Sequence, residues 1–189
     1  MKKYFTLVEV LGVVALIAIL GAIGFAGYSY AVSSAKESST RSLIERIGNS
    51  MENCRNQNGF IPAARGDFST IKITLTDGNE KITIRDSSSD KEYKKSDNNK
   101  NNKKFYDVFT RSLDMDSITN SLGNDGVLTD AWGNPVYYRY PGIINKGSFD
   151  IISAGPDGVF GKDGADTPPN SIDKYREDGE MVCDDIGNF

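Results

Sequence analysis

Two sets of carboxylates in this chain are placed where ionised oxygen is costly, and both could do chemistry. Glu9 is the only charge in an apolar run from Phe5 to Ala35. Translocon-type scales put a central intramembrane acid at roughly 2.5–3.5 kcal/mol unfavourable, and less near the end of a span. An acid held there calls for a cation at the same depth; the plainer reading places Glu9 in the headgroup layer. The second set is Asp157, Asp163, Asp166, Asp184 and Asp185, spread through the glycine-rich stretch after Ser153. Glycines let backbone carbonyls turn inward, and calcium takes six to eight hard oxygens from a flexible loop. The plainer reading of that set is a solvated acidic loop.

Composition excludes much else. The 189 residues carry a net charge of −4 and no histidine, which removes the commonest general base and zinc ligand. No Cys-x-x-Cys or nucleophile arrangement occurs, so no enzyme activity is expected. The absence of a concentrated basic patch argues against nucleic-acid binding.

The elements that must position these acids are legible in part. Val10 to Ala35 is long enough to cross a ~30 Å hydrocarbon core and exceeds a secretory signal's apolar region, although Ser33-Ser34-Ala35 resembles a signal cleavage site. Lys2 and Lys3 precede the span, placing the N-terminus in the cytoplasm and everything after Lys36 outside. Leu43, Ile44, Ile47, Met51 and Cys54 continue a helical stripe, which Asn58-Gly59 and Pro62 end. Ile71 to Leu75 and Lys81 to Arg85 alternate around Asp77-Gly78, a hairpin signal. Asp86 to Lys104 reads as an exposed flexible loop, Phe105 to about Leu122 as an amphipathic helix, and Val136–Tyr140 and Phe149–Ser153 as strands. Cys54 and Cys183 lie on the oxidising side, where a bridge from helix end to C-terminal tail and two unpaired thiols are both open.

The segment Phe5-Thr6-Leu7-Val8-Glu9-Val10-Leu11-Gly12 resembles the N-terminus of type IV pilins and pseudopilins. Asn58-Gly59-Phe60-Ile61-Pro62, Asp130-Ala131-Trp132-Gly133-Asn134-Pro135 and Asp150-Ile151-Ile152-Ser153-Ala154-Gly155-Pro156-Asp157-Gly158 resemble the major pseudopilin of type II secretion systems, as does the ending Asp184-Asp185-Ile186-Gly187-Asn188-Phe189. Residues 65–127 carry no such resemblance.

The resemblance implies an α+β, pilin-like fold: a long N-terminal helix packed on a small antiparallel sheet. Residues 1–4 would be a basic leader, 5–35 a transmembrane and filament-core half, and 36–189 an extracytoplasmic domain. It implies cleavage by a prepilin peptidase between Tyr4 and Phe5 and N-methylation of Phe5, with one departure: the family's leader ends in Gly, where this chain has Tyr4. It also implies that Glu9 pairs with the N-terminal amine of a neighbouring subunit during assembly. Asp157, Asp184 and Asp185, with the carbonyl of Ala154, would hold calcium. Asp163 and Asp166 could substitute for either terminal Asp, because Lys162 to Cys183 is inserted between the two halves of the family's loop.

The implied role is structural. Copies would leave inner-membrane lipid and stack into a periplasmic rod that drives secretion, with minor pseudopilins and an inner-membrane assembly platform as partners. A surface type IV pilin and a singly anchored extracytoplasmic binding domain are the alternatives.

Overall fold

The computed structural model describes residues 6–76, 78–86, 89–177, 180–181 and 183–189. The basic leader, including Tyr4, the adjoining Phe5, and Asp77 of the hairpin turn lie outside the described residues. The chain divides into two compact units, 1–36 and 37–189.

Helix α1 runs Leu7–Asn58. In the first unit its start is fixed by a reciprocal cap. Thr6 Oγ1 accepts from the Glu9 amide at 3.3 Å, while Glu9 Oε2 accepts from the Thr6 amide and hydroxyl, both at 2.8 Å. This is a Thr-x-x-Glu capping box, which satisfies backbone donors that a helix start leaves open. Beyond it Leu7, Leu11, Val14, Ile17 and Leu20 are all exposed. The helix is long and apolar enough to cross a membrane, and the chain buries none of that window.

In the second unit the expected stripe is buried: Leu43, Ile44, Ile47, Met51 and Cys54 are 0–2 % exposed. The helix ends as Asn58-Gly59 foretells. Gly59 takes a φ of +64°, and its amide returns to the Arg55 carbonyl at 2.7 Å, a left-handed cap suited to glycine.

The strands are β1 (Ala64–Thr74), β2 (Lys81–Asp86), β3 (Ser89–Lys94), β4 (Tyr137–Tyr140) and β5 (Asp150–Ser153). A short hairpin of β6 (Arg176–Glu177) and β7 (Glu180–Met181) follows, then β8 (Ile186–Gly187). Among the described residues the main sheet has six strands in the order β3-β2-β1-β4-β5-β8, every neighbouring pair antiparallel. The α1 stripe, Ile71, Ile73, Ile82, Ile84, Tyr138 and Ile151 share one core with Phe105, Phe109 and Leu113. Each fully buried side chain of this size contributes roughly 1.5–3 kcal/mol. The α+β, pilin-like arrangement expected from the sequence is the one observed.

Two expectations need correction, and one alternative left open is decided. Asp86–Lys104 is not a flexible loop: β3 pairs along all of β2, and helix α2 (Lys100–Leu113) begins within it, capped by Asn99. Opposite charges face each other across those strands, as in Arg85–Asp90 at 2.9 Å and Lys91–Asp86 at 2.7 Å, and Tyr93 is buried against Phe105 with ring centroids 4.6 Å apart. Such cross-strand pairs add tenths of a kcal/mol each, roughly 0.2–1; the buried tyrosine adds more.

The expected helix from Phe105 to Leu122 is broken. Asp114 adopts φ +55° and separates α2 from the single turn α3 (Met115–Ile118).

The two cysteines do not bridge. Both are free, Cys54 in the core under α1 and Cys183 against a second cluster.

That second cluster was not legible in the sequence. Phe68, Ile144, Ile152, Ala154, Phe160 and Tyr175 pack together, so residues from the segment after β5 close over Phe68 of β1 and Ile152 of β5.

Candidate metal-binding loop

The loop Ala154–Gly158 leaves the end of β5, and its conformation is set by the Asp130–Pro135 turn before β4. Asp130 is buried, 5 % exposed. Its Oδ1 accepts from the amides of Trp132 and Asn134 at 2.9 and 2.8 Å. Its Oδ2 accepts from the Ser153 hydroxyl at 2.6 Å and the Asn134 side-chain amide at 3.2 Å. A buried carboxylate survives only when its lone pairs are satisfied in this way. Asn134 passes the connection on by donating to the Gly155 carbonyl at 2.8 Å. In the sequence this turn stands out only through the resemblance it carries. Asp130 and Asn134 are positioning residues that the sequence reading missed, and the Asp-x-x-x-Asn spacing was the available signal.

Any side chain at Gly155 would be strained. Its φ is +69°, and a Cβ would stand 2.8 Å from the Asp184 carbonyl. The loop therefore crosses against the chain entering β8, bringing Asp157 to the Asp184–Asp185 pair. Burial, with the charge and hydrogen bond of Asp157, raises the carboxyl of Asp184. Asp185 is 8 % exposed. Burial above all, with the charges of Asp184 and Asp157, pushes its carboxyl up to about 6 against the hydrogen bonds it gains. Asp185 Oδ2 accepts from the Gly161 amide at 2.8 Å. Its Oδ1 is buried without a hydrogen-bond partner among the described residues.

Carboxylate oxygens such as these are the hard donors a calcium ion takes. Among the described residues, however, no three acidic, Cys or His side chains stand close enough together to hold a metal ion. Asp163 stands apart: it is exposed and ion-paired with Lys174, which holds its carboxyl below the usual range. Asp166 is exposed.

A second buried carboxylate was also missed. Asp150 is fully buried and accepts from the amides of Ile143, Ile144 and Asn145 at 2.6–2.9 Å, which folds the β4–β5 connection onto itself.

A search of curated proteins and one of solved structures return no significant match. A family model described as type II secretion system (T2SS), protein G matches residues 106–170. The matched stretch, about a third of the chain, contains the Asp130–Pro135 turn, Asp157 and Asp163, and it stops before Asp184. Over that stretch the chain is similar to the type II secretion protein G family, which supports the pilin-like resemblance and a secretion pseudopilin type of role.

Proposed function

We propose that this chain is a subunit of a pseudopilus-type filament that drives protein secretion, closest in kind to the major pseudopilin. One observation carries the reading. An apolar helix long enough to span a bilayer stands uncovered by its own chain, with a single acid at its start, in a protein matching the secretion protein G model further on.

The apolar half anchors the subunit in inner-membrane lipid, N-terminus inward, and later packs against its copies. Glu9 pairs with the amine of a neighbouring Phe5, freed at Tyr4–Phe5 by a prepilin peptidase and then methylated. Minor pseudopilins and an assembly platform complete the machinery. Asp157, Asp184 and Asp185, with the Ala154 carbonyl, hold calcium, which supplies the positive charge that the buried Asp185 lacks and ties the loop to β8. The test is to overproduce the chain with its secretion apparatus and look for rods by electron microscopy. Rods containing this chain support the reading; a chain that stays dispersed in the membrane sinks it.

The capping box favours a second reading. Glu9 is already satisfied by Thr6 within one chain, as a helix cap in a singly anchored extracytoplasmic domain would be. Glutamine also completes such a box, so Glu9→Gln keeps the cap and removes only the charge. An anchored domain tolerates that change, and a filament subunit does not.

A further inference from the structure

Charge is segregated along the sheet. Residues 81–104 carry eight Lys or Arg against four Asp or Glu, and residues 156–189 carry nine acids against three bases. The basic stretch is β2, the edge strand β3 and the start of α2. The acidic stretch closes over Phe68 and Ile152 and ends in β8, at the opposite sheet edge. The lysines of β2 and β3 are largely neutralised at home, as in Lys91–Asp86 at 2.7 Å and Lys94–Glu92 at 2.9 Å. Those that open α2 are not. Lys100, Lys103 and Lys104 are all exposed there, and cations at i, i+3 and i, i+4 repel one another and oppose the helix dipole. The acidic side has a matching conflict. Glu177 and Glu180 are exposed and are direct cross-strand partners in the β6–β7 hairpin, a destabilising placement for like charges. Among the described residues neither glutamate, nor Lys100 or Lys103, forms an ion pair.

We infer that the lysines opening α2 of one copy meet the Glu177–Glu180 hairpin of the next. The inference rests on the filament reading only in taking from it that copies stand side by side. Each like-charge pair is locally unfavourable in its own domain, and each is the complement of the other. Contact between copies therefore replaces two repulsions by attractions. A single exposed ion pair contributes little, but clusters of opposite sign steer two surfaces together and fix their register. A second copy is the occupant that this pattern fits, because every copy brings both patches in equal number. The two patches belong to different parts of the domain, so the contact is heterologous, and repeating it extends a row or closes a ring.

The test mixes isotopically heavy and light forms of the full chain in lipid vesicles. A carbodiimide, which joins an amine to a neighbouring carboxylate, is added, and the joined peptides are read by mass spectrometry. Joins between copies include pairs of one heavy and one light peptide; joins within a copy never do. Mixed pairs linking Lys100 or Lys103 to Glu177 or Glu180 are expected. They should disappear in 1 M salt, where the Debye length falls to about 3 Å. The Lys95–Glu80 join, held within one copy by a backbone bond between the same residues, should remain and serves as the standard. No mixed pairs, or mixed pairs as abundant in 1 M salt, would overturn the contact. Lys100→Glu with Lys103→Glu, or Glu177→Lys with Glu180→Lys, should each remove the mixed pairs, and the four changes together should restore them. Failure to restore them would also overturn it. The readout needs no rods: mixed pairs from a chain that forms none would keep the contact and sink the filament reading, while rods without mixed pairs would sink the contact alone.

Discussion

The side-chain amide of Asn134 donates to the carbonyl of Gly155 at 2.8 Å, so the turn before β4 and the acidic loop after β5 form one hydrogen-bonded body. The buried carboxylate of Asp130 closes that body through Ser153. The turn is thereby a bracket for the loop as well as a seat for Trp132.

Removing the bracket should be expensive. Asp130→Ala strands the Ser153 hydroxyl and two amides, and hydrogen bonds to charged groups are worth about 1.5–3 kcal/mol each. Chemical denaturation of the full chain in micelles should show a loss of at least about 3 kcal/mol. Asn134→Ala should lose about 1–2 kcal/mol. A loss below about 0.5 kcal/mol for Asp130→Ala would mean that the loop holds its shape unaided.

Asp185 predicts an inverted pH dependence. Its folded carboxyl is raised from 3.8 to about 6, so the folded state binds the proton more tightly than the unfolded chain. Its contribution is therefore favourable at low pH and lost as pH rises between about 4 and 6, by up to about 3 kcal/mol. Asp86 has the opposite sign. Arg65 and Lys91 hold its carboxyl well below the ordinary value, so its contribution is present above about pH 4 and lost on further acidification. Thermal melts in chelator should lose stability from pH 4.5 to 7, and Asp185→Asn should flatten that slope. A slope that survives the substitution would place its origin elsewhere.

The stripe on α1 makes a third prediction. Ile47 is fully buried beneath the sheet, and Ile47→Ala should cost about 2–5 kcal/mol through lost contacts and a residual cavity. Leu75→Ala, at a position 45 % exposed, should change stability by less than about 0.5 kcal/mol. Equal effects in urea titrations would contradict this core.

Periodicity carried the legible part of the fold. The 3.6-residue stripe from Leu43 to Cys54 and the alternation at Ile71–Ile73 and Ile82–Ile84 each announce a buried face, and Gly59 announces its stop. The β3 segment escaped because its ladder is held by charge pairs and a single buried Tyr93, a pattern that composition alone presents as solvated loop. Phe160 and Tyr175 escaped for another reason: each is a lone aromatic in polar surroundings, and only tertiary contact with Phe68 makes them a cluster. The acids at Asp157, Asp184 and Asp185 were legible by type. The withdrawal of Asp163 to Lys174 and the burial of Asp185 depend on how the intervening segment folds back, which no local pattern encodes.

One pair of variants tests the proposed pairing of Glu9 with a neighbouring subunit. Sheared filament and membrane fractions would be quantified for Glu9→Gln and Thr6→Ala beside the unmodified chain. A filament subunit predicts that Glu9→Gln, with its capping box intact, stays in the membrane and enters no filament, while Thr6→Ala still assembles in part. Filaments at the unmodified level from Glu9→Gln, with a larger loss from Thr6→Ala, would make Glu9 a helix cap and contradict the account.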